Sequence, residues 1–207
     1  VNPQLIVVLV GLFYILAVGG MSLLRREGLS NQFAFEALAM IGLAILMGWT
    51  TGVIADPVIL FLSLYMVTMR ARWLTDLANF LFPRRGYAPA ARLYSLALRL
   101  FPDRTSRFIV LVNWGIARLQ NRDLSGAIST FQDVLERAAT TGGLGPKYEA
   151  ACRYNLGIAF RKAGDDLKAV QQFTHVTESF PASVYGQAAE RALKERRERG
   201  PRSSQDE

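Results

Sequence analysis

The chain is poor in the residues that build covalent or metal frameworks. Its 207 residues include one cysteine, Cys152, and one histidine, His175. A lone cysteine cannot close an internal disulfide, so nothing points to an oxidising compartment. One Cys and one His fall short of the four ligands of a structural zinc site. A Cys–His nucleophilic pair is open on paper, but packing or surface positions in a helical repeat are the ordinary reading. The stretch 142–146, GGLGP, lacks the Lys-Ser/Thr of a phosphate-binding loop. Asp165 and Asp166 fall in a turn, where carboxylates cap helices. No nucleophile elbow is present. The expectation is a non-enzyme with no catalytic residue, cofactor or metal.

Charge is scarce at one end. Residues 1–70 carry Arg25, Arg26 and Arg70 against Glu27, Glu36 and Asp56, so three of the 24 basic and three of the 17 acidic residues. The remaining 21 basic and 14 acidic residues give the later part its net +7. An apolar third therefore precedes a basic, water-soluble two-thirds. With 51% hydrophobic residues, the chain is neither disordered nor collagen-like.

Residues 5–24 are free of charge and number 20, the length that crosses a bilayer core of about 30 Å. No positive charge precedes them and Arg25-Arg26 follows, the pattern of an anchor with its N-terminus outside, unlike a cleaved signal. Residues 35–55 form a second span. Asp56-Pro57 then offers a helix start, Asp as cap and Pro at the first position. Residues 58–69 are short for a span, and lengthen to 57–72 if Arg70 and Arg72 snorkel and Trp73 sits at the interface. Three spans are expected; the alternative is a re-entrant or interfacial third segment. Three spans put both Arg groups on one side, which the positive-inside rule makes cytoplasmic. Glu36 reads as an interfacial residue. Gly48 and Gly52 make a GxxxG spacing, with Gly42 before them, for self-association or for packing within the hairpin.

The later part repeats itself. Gly157 is followed 12 residues on by Ala169, 4 further by Phe173 and 8 further by Pro181. Gly115, Ala127 and Phe131 keep the 12 and 4 spacings; Ala78, Ala90, Tyr94 and Pro102 keep 12, 4 and 8. Leu77, Trp114 and Leu156 precede the small residue, and Leu81 and Phe160 follow it. These copies, at 71–104, 108–141 and 150–183, resemble the tetratricopeptide repeat family, in which each unit of about 34 residues is a pair of antiparallel helices. The second copy departs with Arg118 for an aromatic and Ala139 for Pro, the first with Ala78 for Gly and Leu81 for an aromatic. The resemblance implies an all-α solenoid of stacked helix pairs, with breaks at 105–107 and 142–146. Residues 184–199 read as a capping helix and 200–207 as a disordered tail. The first repeat helix either continues the third apolar run or is kinked near 70–73.

The resemblance also implies a groove for a partner peptide or helix, lined by first-helix residues. These are Arg72, Thr75 and Asn79, then Ile109, Val112, Asn113 and Ile116, then Tyr154, Asn155, Ile158 and Arg161. Asn79 and Asn113 match the asparagines of the family's carboxylate clamp. Thr75, Ala151 and Asn155 stand where its cations would be, which argues against such a clamp. With three repeats, the same residues could instead simply stack. Arg25, Arg26, Arg70, Arg72, Arg84 and Arg85 are candidates for anionic lipid contacts. Nucleic acid is not expected despite a pI near 9.9.

The expected function is a membrane-anchored scaffold that docks a protein partner during assembly or regulation of a membrane complex. An integral accessory subunit is the alternative. A membrane-embedded enzyme or transporter is disfavoured by the lack of paired polar groups in the spans. The bias of 20 Arg to 4 Lys points to a GC-rich genome and a bacterial inner membrane.

Overall fold

The computed structural model describes residues 3–24, 30–142 and 144–199. Among these residues the fold is all-α, with ten helices. Arg25, Arg26 and the tail 200–207 lie outside the described residues. The chain divides into two compact units at residues 110 and 111.

The first unit opens with α1 (Pro3–Leu24), α2 (Asn31–Thr51) and α3 (Pro57–Thr68). Ser30 caps α2 through the amide of Phe33, and Asp56 caps α3 through the amides of Val58 and Ile59. Both caps satisfy helix-start N–H groups that would otherwise lack partners. Their shared core is Val7, Tyr14, Phe33, Ala37, Ile41, Leu60 and Leu64. Tyr14 is fully buried, edge-on to Phe61 with ring centroids 5.4 Å apart, and its hydroxyl pairs with Thr68. The outer faces stay apolar: Leu9, Phe13, Leu16, Leu43 and Trp49 are all exposed. In water such a surface would be costly; in a bilayer it is solvated.

Two of these helices, α1 and α2, are long and apolar enough to cross a membrane. The third counts only when α3 and the next helix are taken together, and they are bent by 73°. Twelve residues of α-helix rise only about 18 Å, well short of the bilayer core. The expected segment 57–72 is thus the short helix α3 plus the start of the next helix, with the bend at Met69; the described residues hold two spans, or three if that bent pair is one span. Within the hairpin, the GxxxG glycines do not make the closest contact. The close approach of α1 to α2 is at Gly11, where an added Cβ would lie 2.3 Å from Ile41 Cδ1. Gly42 has no such neighbour within 4 Å, and Gly52 is a left-handed cap beyond the helix end.

The first unit continues with α4 (Arg70–Arg85) and α5 (Tyr87–Arg99), a helix hairpin turned at Gly86, whose φ of 82° suits glycine. Small residues line the seam: Ala71, Thr75 and Ala78 from α4, Ala90 and Ala97 from α5, all buried. Tyr94 fills the remaining space and donates from its hydroxyl to Asn79 Oδ1 at 2.6 Å. Next, α6 (Arg104–Gln120) includes residues 105–107, so the expected break there is absent. The turn lies at 100–103 instead. Asp103 accepts from the Ser106 amide at 2.6 Å and so starts the helix early.

In the second unit the rest of α6 is followed by α7 (Leu124–Thr141), α8 (Pro146–Lys162), α9 (Asp166–Ser179) and α10 (Val184–Arg199). Asp123 and Asp165 cap α7 and α9. An added Cβ on Gly115 would lie 2.6 Å from the Phe131 ring, and one on Gly157 would lie 2.7 Å from the Phe173 ring. In each pair the first helix yields its side chain so that the second helix can place an aromatic against its backbone. Buried Ala189 and Ala192 turn one face of α10 onto α8 and α9.

Candidate functional site

Two surfaces carry the residues singled out from the sequence. The first lies in the second unit, on α6 and α8. Asn113, Ile116, Tyr154, Asn155 and Ile158 are partly buried, and Arg161 is exposed. Val112 is buried, so it packs and does not line a surface. Tyr154 lies between Phe173 of α9 and Tyr185 of α10, its ring tilted against both, with ring centroids 5.7 and 5.8 Å away. It therefore holds the last helices together, and burial raises the Tyr185 phenol, with Tyr154 adding to the shift. Asn155 turns its amide back to the Ala151 carbonyl at 2.8 Å. The Arg161 guanidinium sits 5.7 Å from the centre of the Phe173 ring. Arg118, at a position where the resemblance expects an aromatic, stacks over Trp114 at 4.7 Å and donates to Thr130 Oγ1 at 2.8 Å. A planar cation thus takes the place of the ring.

Cys152 is buried between α7 and α8, its thiol directed at the Phe131 carbonyl 3.5 Å away. Burial pushes that thiol well above its ordinary range, the condition of an inert cysteine. His175 pairs with Ser179 on its own helix at 3.3 Å. The two residues thus have separate partners. Among the described residues no group of three or more His, Cys, Asp or Glu could hold a metal ion.

The second surface belongs to the first unit, where α3 ends and α4 begins. Of the proposed groove residues in this unit, Thr75 and Ile109 lie in the interior and Asn79 is exposed. Thr75 is buried and bonded to the Ala71 carbonyl, Ile109 is buried, and Asn79 accepts from Tyr94. Arg72 is partly buried, with Nε 3.4 Å from Ser106 Oγ.

The sequence places Arg70 among the candidates for lipid contact, but its guanidinium closes on Glu36. One terminal nitrogen donates to Oε2 at 2.6 Å and the other to Oε1 at 2.8 Å. The remaining three N–H groups donate to the carbonyls of Val67, Leu100 and Phe101 at 2.7, 2.7 and 2.8 Å. All five donors of the guanidinium are used. Gln32 adds bonds from its amide to Glu36 at 2.8 Å and to the Phe101 carbonyl at 2.7 Å. Phe101 is held with φ at 49°, a conformation that non-glycine residues seldom adopt. This network joins the first turns of α2, the bend after α3 and the turn after α5. No sequence spacing announces it; Glu36 and Arg70 are simply two of the six charged residues in the first 70.

Beside this network is a cavity of about 270 Å³, lined among others by Val18, Met21 and Ser22 of α1, Phe33 of α2, and Trp73 and Asp76 of α4. No family model matches the chain, and no curated protein matches it in sequence.

Proposed function

We propose that this protein is a membrane-anchored adaptor of tetratricopeptide-repeat type. In this reading α1 to α3 hold it in a bacterial plasma membrane, with the repeat helices on the cytoplasmic side. The repeats dock a peptide or helix of a partner during assembly or regulation of a membrane complex. The observation that carries the reading is the recurring glycine-on-aromatic packing of α6 with α7 and of α8 with α9. It supports two repeats of one design, and it leaves Asn113, Ile116, Ile158 and Arg161 of the first helices accessible in part or in full. An amide, two aliphatic side chains and a cation suit a half-apolar helix with an acidic residue.

The test is purification from native membranes in mild detergent, comparing the native chain with Arg161→Glu. A partner recovered with the native chain and lost with the charge reversal supports the adaptor. The same partner recovered equally with both places binding elsewhere and favours an accessory subunit that associates through its membrane helices.

A further inference from the structure

Beyond the docking role, the structure presents a second apolar surface that neither the repeat packing nor the helical hairpin uses. On α4 the residues Trp73, Leu77 and Phe80 are exposed at 43%, 37% and 55%. Their spacing puts them on one stripe, and Arg84 continues it one turn on. The opposite face, Ala71, Thr75 and Ala78, is buried. Three large apolar side chains on the outside of a helix otherwise rich in Arg need an occupant.

Geometry identifies that occupant. The bend of 73° between α3 and α4 sets α4 nearly across the α3 axis, so with α3 along the bilayer normal α4 lies close to the bilayer plane. Ten residues of helix at that angle move only about 5 Å along the α3 axis, less than the thickness of a headgroup layer. Phe80 therefore stays near the depth of Arg70, which is fixed at the end of α2 by Glu36. Trp73 and Asp76 line the same cavity as Val18 and Met21 of α1, so the stripe starts against the end of a membrane helix. The Phe101 backbone is bonded to Arg70 at this same depth, and the residue is 82% exposed. The guanidinium of Arg84 stacks over Phe80 at 3.8 Å, which sets a cation beside the aromatic, the pairing that suits a headgroup layer.

We propose that α4 is an interfacial helix: Trp73, Leu77 and Phe80 enter the boundary between headgroups and acyl chains, and Phe101 enters beside them. The occupant is the lipid of the adjoining leaflet, reached continuously from the apolar faces of α1 to α3. Trp at this depth and Arg at the polar edge match the preferences of membrane interfaces.

The test places a nitroxide at Leu77→Cys, Phe80→Cys and Phe101→Cys in turn, with exposed Arg92→Cys of α5 as reference. The full chain sits in bilayers of phosphatidylcholine and phosphatidylglycerol. Native Cys152 is buried, and the chain without an added cysteine checks that it stays unlabelled. Collision rates with oxygen, which concentrates in lipid, and with a water-soluble nickel chelate are then measured. The proposal expects an oxygen-to-nickel ratio several-fold higher at the three sites than at position 92. A ratio like that of position 92 at any of the three overturns it. Exclusion of both colliders also overturns it, since that marks a protein partner or a second copy on the stripe.

Discussion

The guanidinium of Arg70 grips the carboxylate of Glu36 across 34 positions of sequence, nitrogen to oxygen at 2.6 and 2.8 Å. Both side chains keep about a fifth of their surface exposed, 22% and 21%. The pair fixes where the membrane hairpin stops and the helix hairpin begins. Without Arg70, Glu36 is left partly desolvated and three carbonyls lose a donor. Removal of one partner of a buried pair costs about 3–5 kcal/mol, and residual exposure lowers this, so Arg70→Ala should cost about 2–3 kcal/mol. Arg70→Lys should recover only part of the loss, since an ammonium cannot span the carboxylate and the carbonyls together. Thermal unfolding in detergent, with Glu36→Gln and the double variant completing a cycle, measures the coupling.

Gly157 and Gly42 should respond oppositely to alanine. At Gly157 the new Cβ would lie 2.7 Å from the ring of Phe173, itself stacked on Tyr154. Overpacking there should cost about 1–3 kcal/mol. At Gly42 no such atom stands within 4 Å, so the substitution should be neutral or stabilising. Equal effects at the two sites would contradict the packing described.

The thiol of Cys152 should resist alkylation at mildly alkaline pH until the fold is opened by denaturant. Burial raises its pKa above the ordinary value of 9.0, so the unfolded thiol ionises first. Burial likewise pushes the Tyr94 phenol up from 10.0 to about 12, with Tyr87 adding to the shift. For both groups the unfolded state binds fewer protons at high pH, so stability falls as pH rises through their unfolded values. Urea midpoints measured through pH 9 to 11 should decline, and Tyr94→Phe should flatten the upper part of that decline. A native chain whose midpoint rises over this range would contradict the assignment.

Tyr154→Ala should lower stability where Arg161→Glu does not. The tyrosine holds Phe173 and Tyr185 together, and loss of a large aromatic from such a cluster costs about 3–5 kcal/mol when fully buried. Arg161 is exposed, so its reversal should change the melting temperature little. Binding losses in a Tyr154 variant therefore confound folding with recognition, and Arg161 is the cleaner probe.

Local signals were legible in the sequence, and long-range ones were not. Asp56-Pro57 opens a helix because cap and proline act within one turn. The 12 and 4 spacings put Gly115 and Gly157 where an aromatic can approach, which is a matter of helical period alone. Hydropathy found the apolar third and left a continuous helix or a kink near 70–73 open; the bend lies at Met69, where Thr68 to Ala71 contains no proline or glycine to mark it. The break expected at 105–107 failed because Asp103 caps the helix from outside that window. Ile109 and Val112 are groove positions by the resemblance but are buried, since a repeat register does not say which neighbour covers a face. The pairing of Glu36 with Arg70 needs the α2–α3 hairpin to form before its two ends meet.

The most direct measurement for the adaptor reading is photo-crosslinking in native membranes. A photoreactive amino acid is placed either at Ile158 of α8 or at exposed Phe13 of α1. The account predicts one protein partner captured from position 158 and lost when Arg161→Glu is added, with lipid adducts dominating at position 13. A partner captured from position 13 and none from 158 would contradict it.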